Sequence, residues 1–158
     1  MRNAQSSEMA ALLPRLLRFS FVLGGNRSAA ERVVEAACRR AGSEPAQGNA
    51  EPGLDRRMFS IVYEIWASPH QGGAFIPDDA PERRKQTEDV NASYHKSRTP
   101  LERIRRQTAG LTISERAALA LVVIDGRSYS EAAAILSLEV QVLATLLYSA
   151  RMQLVEMT

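Results

Sequence analysis

The residues able to do covalent or metal chemistry are few and scattered. There are two histidines, His70 and His95, and one cysteine, Cys38. A structural or catalytic metal site needs His, Cys or carboxylates clustered at fixed spacing, and no such cluster surrounds either histidine. Gly72-Gly73 follows no strand-like run and opens no helix, so it lacks the context of a phosphate-binding loop. The pair Asp78-Asp79 reads as a solvated turn. A lone cysteine makes no disulfide within the chain, which fits a reducing compartment. Cys38 falls on the apolar side of a helix, as a small hydrophobe would. The sequence thus offers no candidate catalytic residue, cofactor or metal ligand, and an enzyme is not expected.

What remains is recognition by surface, and charge bears on that. The 158 residues are 45% hydrophobic and 24% charged, with a net charge of +2. Residues 1–76 carry 9 Lys+Arg against 7 Asp+Glu, residues 77–106 carry 8 against 6, and residues 107–158 carry 3 against 5. The C-terminal third is therefore slightly acidic. The basic run Arg83-Arg84-Lys85 and the cluster Arg103, Arg105 and Arg106 read as solvated linker or helix surface. No stretch reaches the roughly 20 apolar residues of a membrane span. Leu16 to Leu23 contains Arg18 and lacks a small-residue cleavage site, so it reads as an amphipathic helix and not as a signal peptide. A cytoplasmic location is expected.

The elements that must position any such surface are helices. Ala, Leu, Glu and Arg, all good helix formers, dominate the composition. Met9, Leu12, Leu13, Leu16, Leu17 and Phe21 recur at helical spacing and predict a helix over 8–23, with Pro14 as a kink or first turn and Gly24-Gly25-Asn26 as its end. Ser28-Ala29-Ala30-Glu31 has the form of a capping box. It predicts a second helix to Ala41, stopped by Gly42, with Val33, Val34, Ala37 and Cys38 inward. Leu54, Met58, Ile61, Val62, Ile65 and Trp66 give a third helix over 54–67, ended by Ser68-Pro69. Residues 69–98 show no periodicity and are expected to be a linker between domains at 8–68 and 99–158. Thr99-Pro100-Leu101-Glu102 opens the second domain. Thr112-Ile113-Ser114-Glu115 opens a helix to Asp125, stopped by Gly126. Ser128-Tyr129-Ser130-Glu131 opens a short helix over about 130–136, and a final helix covers about 139–156. The last two, separated by a short break, have the form of a helix-turn-helix. The expected fold class is all-α, two small helical domains joined by a linker.

The stretch from Leu111 to Leu154 resembles region 4, the C-terminal helix-turn-helix domain of extracytoplasmic-function sigma factors. The resemblance lies in Glu115-Arg116, Asp125-Gly126, the block Ser128-Tyr129-Ser130-Glu131-Ala132-Ala133, Ile135-Leu136 and Ala150-Arg151. Leu12-Leu13-Pro14, Gly25-Asn26-Arg27 and the run from Ala30 to Glu35 resemble region 2 of the same family. What the resemblance implies is a protein that binds core RNA polymerase and promoter DNA. On that pattern Glu31, Arg32 and Glu35 would lie on the polymerase-contacting helix, and Gln141, Thr145, Tyr148 and Arg151 would be the DNA-facing candidates.

Three departures redirect the expectation. Where the family has basic residues on the final helix, this chain has Ala144, Leu146 and Ser149. From Gly126 onward only Arg127 and Arg151 are basic. Each phosphate contact adds about 0.9 to the salt slope of DNA binding, so two contacts give feeble affinity, and promoter DNA is a weak partner. Leu143, Leu146 and Leu147 suggest a protein partner instead, or a place in the core. After Trp66 the helix breaks where the family continues into a promoter-melting segment, leaving Tyr63 and Trp66 as partner contacts or core. Arg32 stands where the family usually has an acid, and Glu35 where it has Gln. These features resemble the sigma-like half of PhyR-type general-stress regulators, which sequester an anti-sigma factor. This chain ends before that type's receiver domain would begin. The sequence thus implies a sigma-like regulator whose partner is an anti-sigma factor, the alternative being a divergent sigma factor on core polymerase.

Overall fold

Three N-terminal helices bury one another's apolar faces. The computed structural model describes residues 2–44, 53–68, 100, 107–108 and 110–156. The expected linker at 69–98, both histidines and the basic clusters at 83–85 and 103–106 lie outside them, as does most of the segment expected to open at Thr99. Among the described residues there are six helices and no strand.

Helix α1 spans Arg2–Gly24, beginning earlier than the periodicity predicts. Its first residues, Arg2, Asn3, Ala4 and Gln5, carry no large apolar side chain, so no apolar stripe announces it. Pro14 lies inside it on the solvent side, where the ring is accommodated and the lost hydrogen bond is one of many. Leu12, Leu16, Phe19, Val22 and Leu23 are buried, while Leu13, expected on the same stripe, is 36% exposed.

Helix α2 spans Arg27–Ser43, and its N-cap is Asn26, not Ser28. The Asn26 side chain accepts from the Ala29 amide at 3.3 Å. Gly25, with φ of +68°, makes the sharp entry that a side chain would oppose. Starting the helix here buries Ala29, Ala30, Val33, Val34 and Ala37 together and frees Glu31 to pair with Arg27 at 3.0 Å. The expected capping box at Ser28 is therefore not formed. Gly42 is not the stop either. The helix runs on to Ser43 with Glu44 as C-cap, tied by the Arg40 side chain at 3.0 Å.

Helix α3, Leu54–Ala67, has the bounds the stripe predicts and ends at Ser68. Its partner α1 supplies a second contact. A Cβ on Gly24 would overlap the Trp66 indole ring, so the absence of a side chain there is what admits the indole. Trp66 Nε1 donates to Ser20 Oγ at 2.9 Å, and Ser20 Oγ donates to the Ala30 carbonyl at 3.1 Å. This relay links all three helices and satisfies a buried hydroxyl.

In the C-terminal half α4 spans Ile113–Leu119 and carries the expected capping box between Thr112 and Glu115. It continues as a π-helical turn, Ala120–Ile124, and stops at Gly126, whose φ is +72°. Helix α5, Tyr129–Leu136, has the second expected capping box, Ser128 with Glu131, and ends with Ser137 in the left-handed region. Helix α6 spans Val140–Glu156. The axes of α5 and α6 are bent by 99° across their short break, the geometry of a helix-turn-helix. No single helix among the described residues is long and apolar enough to cross a membrane.

The two halves dock. α1 packs on α4 and α3 packs on α5, and the buried side chains of both halves form one apolar cluster.

Candidate protein-interaction surfaces

The junction between the halves is closed by charge. Arg15 of α1 donates to Asp125 from Nε at 2.9 Å and from Nη2 at 2.6 Å, the bidentate geometry that makes Arg–carboxylate pairs strong. Arg127 Nε donates to the same Asp125 at 2.8 Å, and its Nη2 donates to Asp55 of α3 at 2.5 Å. Asp55 also lies 3.7 Å from Arg15, so two cations and two anions alternate around one ring. Beneath it lies Phe59, fully buried, with the Arg127 guanidinium 4.5 Å and that of Arg15 5.5 Å from its ring centroid. Phe19 packs against Phe59 at 5.2 Å with the rings tilted by 53°. The π-turn sets this up locally: its widened backbone closes with the Asp125 amide on the Ala120 carbonyl at 2.9 Å, and Asp125 follows at once. Sequence reasoning missed all of it. The available signal was Arg15 beside the α1 stripe and an Asp-Gly-Arg turn after an apolar helix.

Two more polar contacts cross the junction. Ser60 Oγ donates to the Ile135 carbonyl at 2.9 Å, and the Tyr63 and Ser114 hydroxyls share a hydrogen bond at 3.1 Å. Tyr63 is thus a junction residue and Trp66 a packing residue of the N-terminal half.

The polar face of α2 holds Glu31, Arg32 and Glu35, all exposed. Glu31 pairs with Arg27, and Glu35 lies 3.7 Å from Arg39. Exposed pairs of this spacing contribute about 0.3–0.5 kcal/mol each, so a partner can replace them at small cost. At the end of the helix, hydrogen bonds from Arg40 and Arg57 hold the Glu44 carboxyl below its ordinary value.

Helix α6 sorts its candidates sharply. Leu143 and Leu147 are buried to within 1% and so anchor the helix, leaving Leu146 as the one of the three leucines with accessible surface. Ser149 and Gln153 turn inward. Ser149 Oγ donates to Glu115 Oε1 at 2.7 Å, and Gln153 Nε2 donates to it at 3.2 Å. Burial alone would raise the Glu115 carboxyl. The hydrogen bonds from Ser149, from the Thr112 backbone and side chain and from Gln153 outweigh it and lower the carboxyl below its ordinary value. Its neighbour Arg116 has a buried Nε without a partner among the described residues, and burial lowers its pKa. Gln141, Thr145, Tyr148 and Arg151 are exposed on the outer face, but Thr145 Oγ1 donates to the Gln141 carbonyl at 3.0 Å. Around them stand Val140, Met152 and Val155, and Tyr148 itself is 67% exposed.

No family model matches the chain, and no curated protein matches it. Solved structures do. The sigma factor RpoE from Bartonella quintana, in co-crystal with the anti-sigma factor NepR, superposes with a TM-score of 0.68 at 20% identity, over 97% of this chain and 95% of its own. The anti-anti-sigma factor PhyR of the same organism, complexed with NepR, superposes with a TM-score of 0.64 at 16% identity over 97% of this chain. This chain spans half the length of that PhyR chain. The fold is thus the all-α fold of a sigma factor.

Proposed function

We propose that the chain is a cytoplasmic sigma-fold regulator of bacterial transcription initiation that acts through protein contacts and catalyses nothing. On this reading it is a sigma mimic that binds an anti-sigma factor, with a region 2-like unit over 8–68 and a region 4-like unit over 99–158. The observation that carries it is the outer face of α6. A groove-reading helix needs three or four side chains reaching base edges and cations meeting phosphates. Here Arg151 is the only cation on the helix, and Val140, Tyr148, Met152 and Val155 are exposed beside it. The company of the neighbours supports the same reading, because both were crystallised with an anti-sigma factor.

The test is capture by the tagged full-length chain from lysate of its own cells, with mass spectrometry of what is retained. The expected result is an anti-sigma factor without the large polymerase subunits. Recovery of those subunits, together with promoter binding that Arg151→Ala abolishes, would overturn the proposal in favour of a divergent sigma factor.

A further inference from the structure

Helix α4 does not end as an α-helix ends. An α-helix pairs each amide with the carbonyl four residues back. Here the Asp125 amide donates to the Ala120 carbonyl, one residue further back, at 2.9 Å. The Arg127 amide donates to the Leu121 carbonyl at 2.9 Å, again one residue further back than a Schellman stop at Gly126 needs. The π-turn, Ala120–Ile124, therefore carries one residue in excess of an α turn. Such turns are rare and collect at functional sites. The run Val122-Val123-Ile124 contributes, because successive β-branched side chains weaken the preference for α.

The excess residue decides what faces α1. Successive residues of an α-helix stand about 100° apart around its axis. The π-turn thus brings Asp125 to about the position that an uninterrupted α-helix would give Ile124. There Asp125 accepts from Arg15 at 2.9 and 2.6 Å and from Arg127 at 2.8 Å. Rewound as α, the turn would offer Arg15 the apolar side chain of Ile124 in place of a carboxylate. Ile124 already borders the small cavity between α1 and the turn, beside Phe19, Val22 and Ala120. The ring and the π-turn therefore require each other. Arg127 leads into Ser128, the N-cap of α5, so the same rewinding would carry the start of α5 round by about 100° and along by about 1.5 Å.

We propose that the π-turn is a register switch operated by the junction between the halves. It holds the π form while Arg15 of α1 grips Asp125, and it relaxes to α when that grip is released. The excess residue is then passed on towards α5, and the helix-turn-helix shifts against α4. Packed elements of this kind have discrete arrangements and not a continuum, so anything that parts the halves changes the placement of α5. The switch works whichever macromolecule α5 and α6 meet, and it goes beyond the functional reading above by coupling the N-terminal half to their position.

The test uses the full chain labelled with deuterium, carbon-13 and nitrogen-15. Scalar couplings across hydrogen bonds link each amide nitrogen to the carbonyl carbon that accepts from it. In the parent chain Asp125 should couple to Ala120, and Arg127 to Leu121. In Arg15→Gln these couplings should move to Leu121 and Val122, while Arg27→Gln, in an exposed pair of α2, should keep the parent pattern. Val123, 59% exposed in the turn, supplies the second arm. Deleting it makes the bond from Asp125 to Ala120 an ordinary α bond, so Arg15→Gln in that background should leave the coupling in place. Thermal melts establish which variants are folded. If Arg15→Gln does not fold, Asp55→Asn replaces it, and there the Asp125–Ala120 coupling should weaken at least two-fold as the Leu121 coupling appears. A folded ring variant that keeps the parent couplings would overturn the proposal. So would one that loses them without gaining the new pair, or loss of the Ala120 coupling in the deletion background, because the turn would then only fray.

Discussion

Replacing Asp125 with alanine should loosen the docking of the two halves more than removing the neighbouring, more exposed carboxylate of Asp55. The Asp125 side chain is 11% exposed and that of Arg127 is 8% exposed, so this pair lies largely out of water. Asp125 accepts two hydrogen bonds from Arg15 and one from Arg127. Removing one partner of a buried pair costs about 3–5 kcal/mol, because the other charge is left uncompensated. Arg127 keeps Asp55, which places the loss near about 3 kcal/mol, a large share of the roughly 5–15 kcal/mol that holds a domain folded. In urea, with a slope of about 2 kcal/mol/M, the midpoint should fall by about 1.5 M. Asp55→Asn is the control, because the Asp55 side chain is 37% exposed and a pair in contact with water contributes about 1 kcal/mol or less. Urea titrations followed by circular dichroism read both. A shift for Asp125→Ala no larger than that for Asp55→Asn would refute the claim that burial gives the ring its strength.

Two further perturbations test the packing beneath. Gly24→Ala puts a methyl group into the Trp66 ring, so it should destabilise by about 1–3 kcal/mol, the usual scale of overpacking. Fluorescence of the single tryptophan should shift as its bond to Ser20 is disturbed, and an unchanged melting temperature would count against the contact. Glu115 has a lowered pKa in the folded chain. Its contribution is therefore present at neutral pH, above the unfolded value, and is lost as pH falls through the folded value. Acid titration of stability should show a shallower fall for Glu115→Gln than for the parent, and parallel curves would refute the assignment.

Local chemistry made most of the fold legible from the sequence. Thr112 with Glu115 and Ser128 with Glu131 announced two helix starts because the capping box is written within four residues. Leu54 to Trp66 announced α3 because its apolar stripe is unbroken. The failures came where two local solutions compete. Asn26 and Ser28 are both good caps, and only the burial of Ala29 and Ala30 against α1 chooses between them. The surfaces were less legible. That Leu143 and Leu147 are buried while Tyr148 is not depends on where α6 lies against α4 and α5. The ring of Arg15, Asp55, Asp125 and Arg127 joins residues from three distant segments, and nothing in any one segment names its partners. Phe59 falls off the α3 stripe for the same reason: it faces the C-terminal half, not α1 and α2 alone.

The contact between Arg15 and Asp125 closes a loop of 110 residues. The entropy of closing a flexible loop grows only with the logarithm of its length, so doubling the length adds about 0.6 kcal/mol. Beside an ion ring of several hydrogen bonds, that is a small penalty. Residues far apart in the sequence can therefore be joined by the ring at little entropic cost. The register in which the halves meet is written by the residues that cross the junction, Arg15, Asp55, Ser60 and Tyr63 on one side and Ser114, Asp125, Arg127 and Ile135 on the other.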